Sequence, residues 1–150
     1  KVAGTEAGVT EPQTTFSTCF GAPFMPLHPT KYAEMLSDKV EKTGVNVWLI
    51  NTGWNGKKER MSLKDTRAVI NAALNGDLNN AEFKKDPYFG FEVPVAIEGV
   101  ASEKLSPATS FDSTAAYEAN AKELADKFKA NFKKFREFGT ADLVAGGPTI

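Results

Sequence analysis

The sequence predicts an α/β fold, because a helical pattern leads through a glycine into a short apolar segment and a second helical pattern follows. Thr30 is a good N-cap for the first helix, which is predicted over residues 31–42. The apolar positions of this helix share one face and are Tyr32, Met35, Leu36 and Val40. Gly44 should end the helix, and the apolar, β-branched residues 45–50 are typical of a strand that is covered on both faces.

The second helix should begin at Ser62 or Leu63 and run through Leu74, where it packs on the predicted sheet. Its inward positions are spaced three and four residues apart and are Thr66, Val69, Ile70 and Ala73. Gly76 then supplies a typical helix end. The predicted strand, loop and helix together occupy residues 45–74.

Three prolines interrupt residues 79–107, so we expect irregular structure there with one edge strand. That strand should lie in the alternating segment at residues 89–97, because Pro94 cannot donate a hydrogen bond to a sheet ladder. An edge position is compatible with this missing donor.

The longest helix is predicted over residues 113–138, with Ser113 or Thr114 at its start. Its apolar stripe should face the core and is formed by Tyr117, Ala121, Leu124, Phe128, Phe132 and Phe135. The opposite face is charged and is most simply a solvent-exposed surface.

Composition and charge exclude several classes of protein. With 150 residues, 41% of them apolar and 25% charged, the chain is long enough for one globular domain. Lysine and arginine number 18 against 19 aspartate and glutamate, so no overall charge attracts the chain to nucleic acid or to a membrane. The single cysteine excludes an internal disulfide, which fits a reducing compartment, and we expect a cytoplasmic protein. The chain begins with Lys1 and not with methionine, and we expect it to be a fragment.

Few side chains outside the loop after residue 50 are candidates for chemistry. His28 is the only histidine, and a structural role is favoured because no partner constellation accompanies it. Cys19 has no neighbouring histidine or cation to activate it, so we interpret it as a buried, unreactive thiol. Glu6 and Glu11 flank a glycine-containing segment but do not make a metal site. The sequence contains no GxxxxGK[ST] motif and therefore no phosphate-binding loop of that kind.

The loop NTGWNG at residues 51–56 follows the predicted strand, at the position where open α/β sheets bind ligands. Its residue types allow sharp turns and close approach to a ligand, and they include Asn51, Thr52, Gly53, Asn55 and Gly56. Arg60 offers a planar cation for phosphate or base, and Thr66 places a hydroxyl in the first turn of the next helix. Two interpretations stay open from these residues: an anion- or nucleotide-binding loop, or a plain solvent-exposed connection.

Longer motifs carry a family resemblance. NTGWNG followed by KDTR, within VNVWLINTGWNGKKERMSLKDTRAVINAALNG, and LVAGGP near the end closely resemble the C-terminal portion of ATP-dependent phosphoenolpyruvate carboxykinase. The resemblance runs from Lys1 to Ile150. It implies the C-terminal part of an α/β mononucleotide-binding domain, with a mixed sheet flanked by helices. It also implies a carboxy-lyase that converts oxaloacetate and ATP to phosphoenolpyruvate, carbon dioxide and ADP in gluconeogenesis.

The same resemblance implies roles for individual residues. Arg60, Met61 and Thr66 match the family's nucleotide contacts, and residues 1–14 match its active-site lid. ATP is the implied nucleotide, with Mg²⁺ and Mn²⁺ as the implied metal ions. The family's P-loop, metal ligands, catalytic lysine and oxaloacetate-binding arginines lie upstream of the part that is covered. The chain should therefore contribute no catalytic residue and no metal ligand, and it should be inactive alone.

Three further expectations complete the sequence-based account. The predicted sheet would lack strands supplied upstream, so we expect an exposed apolar edge or self-association of the fragment. The lid should be mobile in the absence of its substrates and opposing wall. The alternative class is a non-enzymatic α/β nucleotide-binding or interaction module.

Overall fold

The structure is a computed structural model and describes residues 7–8, 10, 15–16 and 21–150. This described part has the predicted α/β composition, with helices and one small sheet. The helices are α1 (Pro29–Thr43), α2 (Leu63–Asn75), α3 (Thr114–Phe132) and α4 (Ala141–Ala145), and the strands are β1 (Phe83–Lys85) and β2 (Glu92–Pro94). Short 3-10 helices cover Ala22–Phe24, Asp77–Asn80, Ser102–Lys104, Pro107–Ser110 and Lys133–Phe138.

The chain forms two compact units. The first unit comprises Lys1–Val45 and Lys134–Gly139, and the second comprises Asn46–Lys133 and Thr140–Ile150. The loop and helix that carry the predicted nucleotide contacts belong to the second unit.

In the first unit, α1 begins at Pro29 with His28 as its N-cap. The His28 Nδ1 accepts a hydrogen bond from the Thr30 N–H at 3.4 Å and lies 2.8 Å from the Thr30 hydroxyl oxygen. The prediction of Thr30 as N-cap was wrong, because Pro29 has the backbone conformation that suits the first helical position and Thr30 lies buried behind it. Gly44 ends the helix as predicted, in a left-handed conformation with φ 64° and its N–H donated to Val40 O.

His28 also contacts aromatic side chains of the same unit. Its ring centroid lies 4.3 Å from that of Phe138 and 5.9 Å from that of Phe135. Together with the helix cap, these contacts give His28 the structural role that the sequence predicted.

Residues 45–50 do not form the predicted strand. No backbone hydrogen bond involves them within the part of the chain that the structure describes, and Val47 and Leu49 are 58% and 77% exposed. The prediction was wrong because an apolar segment becomes a strand only where another strand pairs with its backbone, and the described sheet lies elsewhere. The segment exposes apolar side chains but belongs to no sheet, so it is not the exposed apolar sheet edge that the sequence predicted. Trp48 is an exception, because its ring stacks on Phe83 with the centroids 5.9 Å apart.

The sheet consists of β1 and β2, which pair antiparallel. Phe83 pairs with Pro94 and Lys85 pairs with Glu92, so the predicted edge strand around Pro94 is confirmed. Asp86 fixes the turn, since its Oδ1 accepts hydrogen bonds at 2.9 and 2.7 Å from the N–H groups two and three residues further on. The described residues thus form a two-stranded antiparallel sheet, and the expected mixed sheet is not found among them.

Helix α2 packs against a small apolar core in the second unit. The core is formed by Ala72, Leu78, Ile97 and Val100, which are 5–7% exposed. Half-buried side chains surround this core: Trp48, Ala68, Val69, Ala73, Ala81, Phe83 and Leu105. Most of this packing therefore involves 3-10 helices and turns, and not the sheet face that the sequence predicted for α2.

A buried ionic group fixes the start of α2. Ser62 is the N-cap: its hydroxyl oxygen accepts a hydrogen bond from the Asp65 N–H at 3.0 Å and donates one to Asp65 Oδ2 at 2.7 Å. Lys104 Nζ donates to the same carboxylate oxygen at 2.7 Å, although Asp65 is only 5% exposed. Lys104 and, after it, Ser62 lower the pKa of Asp65 through these hydrogen bonds. We call these three residues the α2 cap.

Helix α3 begins at Thr114 with Ser113 as its N-cap, as predicted. The Ser113 hydroxyl oxygen accepts a hydrogen bond from Ala116 N–H at 3.2 Å. The predicted helix at residues 113–138 is shorter than expected, because its last six residues form the 3-10 helix Lys133–Phe138. No helix among the described residues combines the length and apolar character needed to cross a bilayer.

The predicted apolar stripe of α3 is core only in part. Ala121 is buried at 5% exposure, whereas Phe128 is 43% exposed. Ala125, which lies outside the stripe, is fully buried. Small side chains permit the closest packing here, while the larger apolar side chains lie at its margin.

We predict that Lys104→Met makes the chain less stable at pH 7, because the buried Asp65 carboxylate loses its cation. The folded-state pKa of Asp65 is lowered, so its ion pair with Lys104 contributes fully to the free energy of unfolding above about pH 4, the ordinary carboxyl pKa. This contribution is lost as the pH falls through the folded-state pKa of Asp65. The destabilisation should therefore shrink on acidification. Urea unfolding followed by circular dichroism at pH 7 and at lower pH measures it.

The matched control is Lys129→Met, which removes an exposed α3 lysine without an ion pair in the described part of the chain. This variant should unfold like the original chain at both pH values. Equal destabilisation by Lys104→Met at neutral and acidic pH would contradict the predicted role of the Asp65 carboxylate.

Candidate functional site

Residues 53–61 form a closed hairpin directly before α2. The Met61 N–H donates a hydrogen bond to Gly53 O at 3.2 Å, and Arg60 pairs with Trp54 as an isolated antiparallel bridge. The polar loop predicted from the sequence is therefore ordered by its own backbone, and we call it the hairpin.

Asn55 fixes the tip of the hairpin. Its backbone N–H donates to Glu59 O at 2.9 Å, and its Oδ1 accepts from the N–H groups of Lys57 and Glu59 at 3.0 and 2.9 Å. Its Nδ2 also donates to the Glu59 carboxylate at 3.1 Å. Lys58 adopts φ 60°, a left-handed conformation that is uncommon outside glycine. The Asn55 hydrogen bonds hold the chain in this conformation.

Short contacts also surround the two glycines of the hairpin. The Gly53 N–H donates to Asn51 Oδ1 at 2.8 Å, and the Gly56 N–H donates to Ser110 Oγ at 2.9 Å. Thr52, between Asn51 and Gly53, is half-buried. All five loop residues singled out from the sequence thus lie in or beside one ordered turn.

Arg60 and Met61 close the hairpin and differ in what they can offer a ligand. Arg60 is exposed, and its guanidinium forms no ion pair or hydrogen bond with any residue that the structure describes. Met61 is half-buried and its N–H is already taken by Gly53 O. Met61 can therefore contact a ligand through its carbonyl oxygen or its thioether, but not through its N–H.

Thr66 lies in the first turn of α2 and is half-buried. Its hydroxyl forms no hydrogen bond within the described ranges, whereas its N–H donates to Ser62 O at 2.9 Å. The neighbouring Asp65 N–H is satisfied by the Ser62 hydroxyl, and the Asp65 carboxylate places negative charge at the helix start. The N–H groups of Asp65 and Thr66 are thus already taken, so the positive charge that this connection offers to an anion comes from side chains such as Arg60.

The structure brings the three predicted contact residues onto one hairpin-to-helix connection. Arg60 and Met61 precede the N-cap Ser62 directly, and Thr66 follows in the first helical turn. No hydrogen bond links the Arg60 side chain to Thr66. A cation, a carbonyl and a hydroxyl are thus available here for a polar ligand.

A cavity in the second unit lies along α2 but does not include these residues. It has a volume of about 390 Å³ and is lined by backbone and side chains that include Asn71, Asn75, Asp77 and Glu98. Its lining contains two carboxylates and no lysine or arginine, which disfavours a phosphorylated ligand. We therefore do not assign the nucleotide to this cavity.

Three residues that support the site were missed in the sequence: Asp65, Lys104 and Ser110. The position of Asp65, three residues after the predicted helix start at Ser62, is a local capping signal that could have been read. Lys104 and Ser110 contact the site from 39 and 54 residues away along the chain, and nothing in the local sequence marks them.

The implied metal ions have no ligand set in the described part of the chain. Residues 7–8, 10, 15–16 and 21–150 contain no group of three histidine, cysteine, aspartate or glutamate side chains able to hold a metal ion. Cys19, Glu6 and Glu11 lie outside the described residues, as does most of the predicted lid at residues 1–14.

Comparison with known proteins places this sequence in a family. The family model described as phosphoenolpyruvate carboxykinase matches residues 1–103. A protein of Flavobacterium johnsoniae named phosphoenolpyruvate carboxykinase (ATP) is 58% identical over 152 residues, covering 99% of this chain and 28% of that protein. Proteins of the same name from Christiangramia forsetii and Brucella suis are 53% and 51% identical, covering 99% and 100% of this chain and 29% of each relative.

The chain thus spans somewhat more than a quarter of the length of these relatives. The match to residues 1–103 includes the hairpin, α2, and Ser62 and Asp65 of the α2 cap. Lys104 of the cap lies one residue beyond it. The resemblance read from the NTGWNG and KDTR motifs is confirmed: the chain belongs to the phosphoenolpyruvate carboxykinase (ATP) family.

Proposed function

We propose that this chain is part of an enzyme that decarboxylates and phosphorylates oxaloacetate with ATP, giving phosphoenolpyruvate, carbon dioxide and ADP. The enzyme would serve gluconeogenesis in the cytoplasm. Relatives over half identical to the chain carry the name of this activity. The observation that carries the proposal is the Arg60 guanidinium next to the helix start that carries the Thr66 hydroxyl, since neither group has a partner among the described residues.

In this proposal the hairpin forms one wall of the ATP site. The Arg60 guanidinium would pair with phosphate or stack on the base, and Thr66 would donate or accept one hydrogen bond. Met61 would border the nucleotide through its carbonyl or side chain, since its N–H is engaged with Gly53. Bound ATP supplies the phosphoryl group, and this chain supplies orientation without a catalytic residue.

Other parts of the site would come from the remainder of the longer protein. The phosphate cradle, the oxaloacetate-binding arginines and the Mg²⁺ and Mn²⁺ ligands are proposed to lie there, as the family resemblance implies. Residues 1–14 are proposed to form the lid over the substrates. The chain alone should then be inactive. A non-enzymatic nucleotide-binding or interaction module has no observation in its favour.

The full-length enzyme provides the direct test of activity. It should form phosphoenolpyruvate only when ATP, oxaloacetate and a divalent metal ion are all present. A full-length protein that binds ATP but forms no product from oxaloacetate would support the non-enzymatic alternative.

We predict that Arg60→Ala weakens ATP binding to the full-length enzyme by about 1.5–3 kcal/mol, the range for a hydrogen bond to a charged group. Thr66→Val should cost less, about 0.5–1.5 kcal/mol, because its hydroxyl is neutral. Oxaloacetate affinity should change little in either variant. Isothermal titration calorimetry measures the ATP affinity.

Arg136→Ala is the control, because Arg136 is an exposed arginine of the first unit without an ion pair in the described residues. It should bind ATP like the unmodified enzyme. Unaltered ATP affinity in Arg60→Ala, or tight ATP binding by the 150-residue chain alone, would contradict the proposed role of the hairpin.

We also propose that the isolated 150-residue chain self-associates through residues 46–50. This segment exposes Val47 and Leu49 together with backbone groups that have no partner in the described part of the chain. The formal net charge of −1 opposes association only weakly. A second copy could supply both the apolar contact and the backbone pairing that this segment lacks.

Sedimentation velocity over a range of concentrations should then show a monomer that gives way to a larger species. Leu49→Lys should shift the chain toward monomer, because a charge at the centre of the contact opposes its burial. Leu74→Lys is the control, since Leu74 is 80% exposed but lies at the end of α2. A monomer at every concentration would contradict this proposal.

A further inference from the structure

The hydroxyl group of Ser110 connects the hairpin to a distant part of the chain. The Ser110 Oγ accepts a hydrogen bond from the Gly56 N–H at 2.9 Å and donates its own proton to Pro107 O at 2.7 Å. A serine hydroxyl has one proton, so the bond to Pro107 fixes its orientation and turns an acceptor lone pair toward Gly56. The bond to Pro107 therefore holds the hydroxyl in the orientation in which it accepts from Gly56.

Gly56 is required at this contact because there is no room for a side chain. A Cβ atom built on Gly56 would lie 2.7 Å from Phe111 Cε2 and 2.9 Å from Ser110 O. The hairpin backbone thus lies directly against the 107–111 turn. The close approach, and not an unusual φ angle, explains the glycine.

The turn that makes this contact is itself anchored. The Phe111 ring packs against Tyr117 of α3, with the centroids 5.5 Å apart. The Thr109 hydroxyl lies within hydrogen-bonding distance of the carbonyl oxygens of Glu103 and Ser106. Residues 103–111 therefore form one linked segment, which we call the 103–111 segment.

The 103–111 segment contacts both parts of the candidate nucleotide site. At one end, Lys104 donates to Asp65 and so holds the first turn of α2, which carries Thr66. At the other end, Ser110 holds Gly56 in the hairpin that carries Arg60. The 103–111 segment therefore constrains the distance between the Arg60 and Thr66 side chains, although it contains neither residue.

We propose that Ser110 is a positioning residue for the nucleotide site, acting through Gly56 on the hairpin that presents Arg60. This inference rests on the proposed function, because it takes the hairpin to be the ATP contact. Without the Ser110 hydroxyl the hairpin gains conformational freedom that nucleotide binding must remove. The Gly56 N–H is at the surface and can bond to water when the Ser110 hydroxyl is removed. Removing the hydroxyl should therefore lower the affinity for ATP more than the stability of the fold.

The test uses the full-length enzyme with Ser110→Ala and Ser110→Thr. Ser110→Ala should raise the Kd and the KM for ATP by about three- to tenfold, within the range of one lost neutral hydrogen bond, and leave kcat and the KM for oxaloacetate unchanged. Ser110→Thr keeps the hydroxyl and should restore most of the ATP affinity. Ser37→Ala is the matched control, since Ser37 is an exposed serine of α1.

Hydrogen exchange provides a readout that does not depend on activity. The Gly56 amide should exchange faster in Ser110→Ala than in the unmodified protein and in Ser37→Ala. Should Ser110→Ala fail to fold, Gly56→Ala tests the same contact from the other side, because its Cβ displaces the hairpin from Phe111. Gly56→Ala should also weaken ATP binding with kcat unchanged.

Failure of this inference can be told apart from failure of the proposed function. If Arg60→Ala weakens ATP binding while Ser110→Ala and Gly56→Ala bind ATP like the unmodified enzyme, the positioning role is overturned and the proposed function stands. If ATP affinity is unchanged in all three variants, both are overturned. A drop in kcat without a change in ATP affinity would also overturn the positioning role.

Discussion

Asp65 accepts hydrogen bonds from Ser62 and Lys104 at one carboxylate oxygen, each 2.7 Å away, and much of the second unit depends on this group. The Ser62 bond starts α2 directly after the hairpin, which sets the position of Thr66 relative to Arg60. The Lys104 bond joins that helix start to the 103–111 segment. A charge that is 5% exposed is stable only when it is paired, so these partners must be present together.

This arrangement separates the groups that build the site from those free to bind. The residues that build the site form their hydrogen bonds within the protein; they are Asn55, Ser62, Asp65 and Ser110. No buried side-chain nitrogen or oxygen is left unpaired among the described residues. The Arg60 guanidinium and the Thr66 hydroxyl have no such partner in that part of the chain. Rigid surroundings with unpaired polar groups are what a preorganised binding site requires.

Local signals predicted the helices well, and contacts distant in sequence account for most of what they missed. Gly44, Ser62, Gly76 and Ser113 mark helix ends as expected, because capping depends on the residue and its immediate neighbours. Residues 45–50 have strand composition, but pairing needs a partner that composition cannot supply. Ser110 and Lys104 reach the site across 54 and 39 residues, so only the folded chain reveals them. Arg60 and Thr66 were candidates from their chemistry alone, which left two interpretations of the loop open. The family motifs added Met61 and the nucleotide role, which stays a prediction for all three residues.

If the hairpin and the first turn of α2 form one wall of a nucleotide site, a bound nucleotide will contact both of them. A crystal structure of the full-length enzyme with a non-hydrolysable ATP analogue would show this contact. The Arg60 guanidinium should lie against the nucleotide and the Thr66 hydroxyl within about 3 Å of one of its polar atoms, with the Ser110 to Gly56 hydrogen bond intact. A nucleotide bound elsewhere, with Arg60 still directed into solvent, would show that the hairpin is not part of the site.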